Sequence, residues 1–256
     1  MAVKFITIYP YNILEDGSFT VTGTPDTGFL EQRLADRCQG VFWKKTGGDS
    51  SSSCACEIKV DQGATTIKDV DALIIPKHNF DQEMLEWQYS NDNFVSDINP
   101  ALDSSSWTQS GNGQILKELS TPVNSRYWRV LISEMDLFRC SEVYMSAGYD
   151  FNVKVDPYPV LSDRPNVDKR DSVGGMTRTT KLGDKRRARQ YHLQLDSNDM
   201  ADWNEAIEFL DNYSKPFFIK DHAGDTWLAS FISTPNMVYL GEDKITDFVI
   251  NLIEEL

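Results

Sequence analysis

Residues 85–89 read Leu85-Glu86-Trp87-Gln88-Tyr89, apolar and polar side chains in strict alternation. Side chains of an extended strand point to opposite faces in turn, so this spacing predicts a strand buried on one face and wet on the other. Tyr127 to Ile132 repeats the pattern, with Trp128, Val130 and Ile132 on one parity. Further strand-like stretches lie at Phe5 to Tyr9, Phe19 to Thr22, Cys56 to Val60, Val70 to Ile75 and Val143 to Met145, with turn signals between them. No convincing amphipathic helix precedes residue 155. The loops are long and polar: residues 46–53 read TGGDSSSS, and residues 91–113 are dominated by Ser, Asn, Asp and Gly. Many short strands joined in this way predict a mainly β chain that opens with an antiparallel β-sandwich, or jelly roll, over residues 1–155.

The character changes beyond that point. Residues 156–189 carry Pro157, Pro159, Pro165 and the Gly174-Gly175 pair, and from Arg164 to Arg189 nine basic residues face three acidic ones. Residues 190–256 reverse the sign, with three basic and thirteen acidic residues. Lys185, Arg186, Arg187 and Arg189 can be read as a nucleic-acid patch, but the chain as a whole selects against a polyanion. Docking of this cationic arm on an acidic surface of a neighbouring subunit is the expected role. In the last segment Ser197 or Asn198 is placed to cap a helix whose Met200, Trp203, Ile207 and Leu210 recur at helical spacing, before Lys215-Pro216 stops it. Strands are expected at Tyr191 to Leu195, Phe217 to Lys220, Thr226 to Ile232 and Ile245 to Ile253, with a hairpin loop at residues 221–225. The expectation is a small α+β module, one helix on an antiparallel sheet, leaning on a neighbour for stability.

Composition narrows the function. Thirty-nine Asp and Glu against 25 Lys and Arg leave a net charge of −14, which disfavours duplex nucleic acid and anionic lipid as main partners. No run of about 18 apolar residues is present, so no membrane insertion by a helix is expected. The opening MAVKFITIYPYNILEDG lacks a long apolar core and a small-residue cleavage site, and reads as something other than a signal peptide. Cys38, Cys54, Cys56 and Cys140 are too few for a disulfide framework, and no second Cys or His pair completes a zinc site. Reduced cysteines and no metal are therefore expected. His78, His192 and His222 stand apart from one another, and no nucleophile elbow, phosphate-binding loop or dinucleotide fingerprint occurs. The expectation is a protein that is not an enzyme.

Several stretches resemble a known family. Ala35-Asp36-Arg37-Cys38 leading to Val41-Phe42-Trp43-Lys44, then Cys56 to Asp61, Val70 to Asn79, Leu85 to Asp92 and Ser125 to Val130, occur in the order seen in the discoidin, or coagulation factor 5/8 type C, domain. The resemblance covers about residues 25–150. It departs from the family in having no counterpart of the frequent terminal disulfide and in the long interval from Ser90 to Leu119. The whole chain also resembles bacteriophage and prophage tail proteins that join a galactose-binding-like domain to a short β-rich module, through His78-Asn79, the stretch Val173 to Arg189, and Lys215-Pro216-Phe217-Phe218 followed by a turn and Trp227.

The discoidin resemblance implies a shallow carbohydrate site on loops at one end of the sandwich, for which Trp43, His78, Asn79 and Arg37 are the candidates. It also implies a structural calcium that Asp36 or Asp49 would serve, although no readable signature supports one and no cofactor is expected. Arg126 and Arg129 are read as ion-pair residues of the sheet face. The tail resemblance implies a virion component assembled in the host bacterial cytoplasm, with tail or baseplate proteins as partners, a ring of like subunits, and contact with a host cell-surface glycan. Lys185, Arg186, Arg187 and Arg189 are the candidate assembly contacts. The alternatives are a secreted or surface carbohydrate-binding lectin and an unrecognised hydrolase.

Overall fold

The computed structural model describes residues 4–22, 30–38, 42–44, 56–79, 85–102, 114–132, 139–153, 161–164, 167–171, 177–181, 186–239 and 245–255. The protein is mainly β. It divides into two compact units, residues 9–148 and residues 1–8 with 149–256.

The first unit is an antiparallel β-sandwich. One sheet runs in the order Ser18–Val21, Cys56–Asp61, Tyr127–Ile132, Leu85–Ser90, Asn99–Leu102, and the other in the order Tyr144–Ser146, Asp69–Ile75, Ile115–Asn124. The alternation of residues 85–89 is realised in the register. Ile58, Val130 and Trp87 form one cross-strand row, and Val60, Trp128 and Tyr89 the next. Trp128 lies 5.1 Å from Trp87 and 5.2 Å from Tyr89 between ring centroids. Each such aromatic removes about 150–250 Å² from water, so these two rows dominate the burial energy of the sheet. The opposite face carries Lys59, Arg129 and Gln88 in a row, and Arg129 pairs with Glu57 at 3.1 Å. Arg126 grips Asp61 through Nε and Nη2 at 2.7 and 2.9 Å. Both arginines are thus ion-pair residues as expected, Arg129 on the sheet face and Arg126 at the sheet's end, just before Tyr127–Ile132. Asp69–Ile75, central in its sheet, buries successive residues from Ala72 to Ile75, which is why it reads as an apolar run rather than an alternation.

In the second unit, six strands close into a ring. Arg186–Leu195 is followed by Tyr149–Val153, Lys4–Tyr9, Phe217–Lys220, Thr226–Phe231 and Ile245–Glu254, and the last pairs back onto Arg186–Leu195. Leu161–Arg164 and Asn236–Tyr239 extend the sheet at its flanks, while Val167–Asp171 and Thr177–Lys181 form a separate two-stranded hairpin. The helix Ser197–Phe209 contributes Trp203 and Ile207, and its C-cap Leu210, to a cluster with Ile6, Ile8, Phe151, Phe217 and Phe248. Trp203 meets Phe248 edge-on at 4.6 Å. The helix cap is Asp196 rather than Ser197 or Asn198. Its Oδ1 accepts from the N–H groups of Asn198 and Asp199, and Asp199 Oδ2 accepts in return from Asp196 N–H, closing a reciprocal capping box. Three consecutive left-handed residues, Asp211, Asn212 and Tyr213, then reverse the chain ahead of Pro216, and Gly224 takes φ +90 in the 221–225 loop.

The unit boundaries differ from the expected segments 1–155, 156–189 and 190–256. Residues 4–8 pair with Tyr149–Val153, with Ile6 opposite Phe151, so the first strand belongs to the later unit and the sandwich is inserted after it. Among the described residues, 190–256 hold one helix and do not by themselves complete the core around Trp203 and Phe248. Ile6, Ile8 and Phe151 supply the missing wall. The expected arm is likewise strand in part: Leu161–Arg164 pairs with Arg186–Leu195. Among the described residues no helix is long and apolar enough to cross a membrane.

Candidate functional site

The stretch Phe42 to Lys44 decides the geometry at one end of the sandwich. Trp43–Lys44 pairs antiparallel with Arg139–Cys140, Trp43 opposite Cys140 and Lys44 opposite Arg139, and His78 bridges Cys140 from the other side. The resulting ribbon has two faces. Trp43 and Cys140 are wholly buried, with half-buried His78 beside Cys140. Phe42, Lys44 and Arg139 take the opposite parity. There the Arg139 guanidinium sits 5.1 Å from the centroid of the Phe42 ring. Asn79 is joined to Arg139 twice: its N–H donates to the Arg139 carbonyl at 3.2 Å, and its Oδ1 accepts from Arg139 N–H at 2.8 Å. Lys77, Asn79 and Arg139 are exposed.

The four expected carbohydrate residues therefore separate. Asn79 lies on the outward face. His78 belongs to the inner parity of the ribbon. Trp43, at 0% exposure, has no ring face to offer a sugar. Its aromatic neighbour Phe42, one residue earlier and on the other parity, takes the outward position, and Arg139 joins it from 97 residues away in sequence. Strand parity was the available signal: if Trp43 is core, Phe42 and Lys44 face out. Nothing local marks Arg139.

Arg37 serves the interior. It is 9% exposed and its backbone is left-handed, at φ 54. Its Nε and Nη2 donate to the two carboxylate oxygens of Glu15, Nη2 also reaches the Pro10 carbonyl at 3.4 Å, and the guanidinium lies 5.7 Å from the Tyr144 ring centroid. At 9% exposure and held to Glu15, this guanidinium is not presented to solvent. Next to it Glu142 is wholly buried, and neither carboxylate oxygen has a hydrogen-bond partner of normal geometry. Burial pushes its carboxyl up to about 8, with Arg37 pulling the other way and the Glu15 and Asp36 carboxylates adding to the rise. Burial likewise pushes the Cys140 thiol up, so it is an inert side chain and not a nucleophile.

The other end of the sandwich holds a cleft of about 220 Å³ lined by Ile13, Asp16, Gly17, Gln62, Thr66 and Lys68. Lys68 Nζ donates to Asp16 at 2.6 Å across it. Of the residues proposed for calcium, Asp36 accepts from Cys38 N–H and pairs with Arg33 at 3.5 Å, and Asp49 lies outside the described residues. Among the described residues no three His, Cys, Asp or Glu side chains gather as a metal site.

The candidate assembly residues find carboxylates within their own unit. Arg187 approaches Glu254 at 3.5 Å and Asp225 at 3.4 Å, and Arg186 approaches Glu255 at 3.6 Å. Arg189 donates to the carbonyl of Ala188, and Lys185 lies outside the described residues.

No family model and no curated protein matches the chain. Among solved structures, it is similar to CpGH89CBM32-6 produced by Clostridium perfringens, with 15% identity, a TM-score of 0.41, and coverage of 54% of this chain and 99% of that one. A chitosan-binding module 1 from the chitosanase/glucanase of Paenibacillus sp. IK-5 is similar at 14% identity and TM-score 0.41, covering 54% and 99%. The family 32 carbohydrate-binding module of C. perfringens NanJ, in complex with galactose, is similar at 11% identity and TM-score 0.40, covering 56% and 99%.

Proposed function

We propose that the sandwich unit is a carbohydrate-binding module and that the face formed by Phe42, Lys44, Lys77, Asn79 and Arg139 is its site. The observation that supports this reading is the Arg139 guanidinium held over the half-buried Phe42 ring, on a surface where Lys77, Asn79 and Arg139 are exposed and the Asn79 amide oxygen is fixed by the Arg139 backbone N–H. Planar groups beside fixed polar ones are what a sugar ring with its hydroxyls requires, and such sites work without catalysis. A glycan array probed with the multimerised full chain tests it, multimerised because single shallow sites bind in the millimolar to micromolar range, about −4 to −8 kcal/mol. Binding is expected to be lost in Phe42→Ala and Asn79→Ala and kept in Arg126→Ala, which breaks an ion pair at the opposite end. Absence of binding to every glycan refutes the reading.

A second reading, a tail or baseplate component of a phage virion assembled in the bacterial cytoplasm, is favoured by a different observation. The hairpin Val167–Asp171 with Thr177–Lys181 stands outside the barrel sheet, and its register sets Arg170 opposite Arg178. A separate two-stranded hairpin is marginal in water, so it suits a segment that docks on another subunit in a ring. In this reading the sandwich contacts a host glycan while the barrel unit assembles. Sedimentation of the full chain and of a variant with residues 167–181 replaced by a Gly-Ser linker tests it. An oligomer that the replacement dissolves supports it, and a wild-type monomer at high concentration refutes it.

A further inference from the structure

We propose that Arg37 is the resident cation of the sandwich: its guanidinium, and not a calcium ion, ties together the segments that meet beside Asp36. The inference concerns the fold and stands whatever the exposed face binds. The discoidin resemblance implies a structural calcium with Asp36 among the residues that would serve it, and the side chains around Asp36 do not fit one. Calcium takes roughly six to eight oxygens at about 2.3–2.6 Å. The Asp36 carboxylate is engaged in its own loop, accepting from Cys38 N–H at 3.0 Å and pairing with Arg33 at 3.5 Å. Two further carboxyl groups lie close to Arg37. Glu15 has both oxygens bonded by the guanidinium, and burial pushes the Glu142 carboxyl up to about 8, so that at neutral pH it brings no charge to an ion. Among the described residues no three acidic side chains come together as ligands.

The same groups fit a guanidinium. Its planar fork matches a carboxylate, its remaining donors reach carbonyl oxygens, and its faces lie against aromatic rings. Arg37 uses all three: Nε and Nη2 on Glu15, Nη2 also on the Pro10 carbonyl at 3.4 Å, and the guanidinium carbon 5.7 Å from the centroid of the Tyr144 ring. Pro10, Glu15, Arg37 and Tyr144 come from four segments of the same unit, so one side chain performs the bridging that a metal performs elsewhere. The chain is bent to achieve it. Arg37 is left-handed at φ 54, a conformation that a bulky residue keeps only where its surroundings overdetermine it. With the guanidinium 9% exposed and bonded to both Glu15 oxygens, an ion could reach that carboxylate only by displacing it.

The experiment is thermal melting of the full chain in excess calcium chloride and in EDTA. The wild-type midpoints should agree within about 1 °C, whereas an ion present at a hundred times its Kd would raise the midpoint by roughly 5–10 °C. Arg37→Met should lower the midpoint by about 10 °C, because it strands a partly buried carboxylate, and Arg37→Lys should lower it less, since it keeps the charge but not the fork. A third substitution separates a counter-charge from simple packing. Glu15→Gln should lower the midpoint of wild type and raise that of Arg37→Met, where the carboxylate has lost its partner. The comparison of calcium with EDTA uses wild type alone and decides the matter even if Arg37→Met does not fold. A wild-type midpoint that calcium raises and EDTA lowers overturns the proposal. A Glu15→Gln effect of the same sign and size in both backgrounds overturns it as well, by making Arg37 a packing residue.

Discussion

Glu142→Gln should stabilise the sandwich unit, and by an amount that grows with pH. The wild-type carboxyl is wholly buried, flanked by an Arg37 whose fork is already held by Glu15, and burial pushes it from an ordinary 4.5 up to about 8. In the unfolded chain it ionises near 4.5, so between that pH and 8 the folded state retains a proton that the unfolded state releases. Stability from this group is therefore complete below pH 4.5, falls steadily as pH rises to 8, and is constant beyond. At 1.36 kcal/mol for each tenfold change in proton activity, the loss is about 3 kcal/mol at pH 7 and nearly 5 kcal/mol, as an order of magnitude, above pH 8. Gln keeps the shape of the protonated acid and cannot ionise. Urea denaturation of the full chain at pH 4.5, 6, 7 and 8.5, followed by tryptophan fluorescence from the buried Trp43, Trp87 and Trp128, gives the difference between variant and wild type. The two should agree within about 1 kcal/mol at pH 4.5 and separate progressively above it. A difference that stays flat from pH 5 to 8.5 refutes the reasoning, because the other titrating groups are common to both proteins.

Gly17→Ala should destabilise the same unit by about 1–3 kcal/mol, since a Cβ there would lie 2.7 Å from Val60 Cγ2 and 2.9 Å from the Asp61 carbonyl; thermal melting checks it. Asp196→Ala removes the capping box of Ser197–Phe209 and should cost the barrel unit about 1 kcal/mol, read from its denaturation midpoint, with Asp196→Ser recovering most of the loss. The Asp92 carboxylate is held well below the usual range by the Ser96 hydroxyl, with Ser90 and the Ser96 and Asp97 N–H groups adding to it. Its contribution is present above the ordinary carboxylate range and is lost as pH falls through and below it. A carbon-detected NMR titration should show this carboxyl still ionised at pH 3, and an ordinary midpoint near 4 would contradict the hydrogen-bond pattern.

Much of the fold was legible in the chain because strands and helices write their periods locally. Leu85 to Tyr89 alternates because one face is core and the other wet, and Met200, Trp203, Ile207 and Leu210 recur because a helix turns every 3.6 residues. The left-handed Gly224 of the 221–225 loop belongs to the same local order. Tertiary structure decided what period cannot carry. The alternation of Ile6 and Ile8 says that one face is buried but not in which core, and only pairing with Tyr149–Val153 assigned it to the ring with Trp203. An aromatic in a polar context can be platform or core, and the pairing of Trp43 with Cys140 buried it while turning Phe42 outward. Arg37 has the composition of a ligand reader, yet Glu15 lies 22 residues before it and closes the fork from inside. Arg139 carries no local mark at all. Its role depends on Asn79 and Phe42, brought beside it from 60 and 97 residues away, and a contact at such separation is a property of the folded chain rather than of any segment of it.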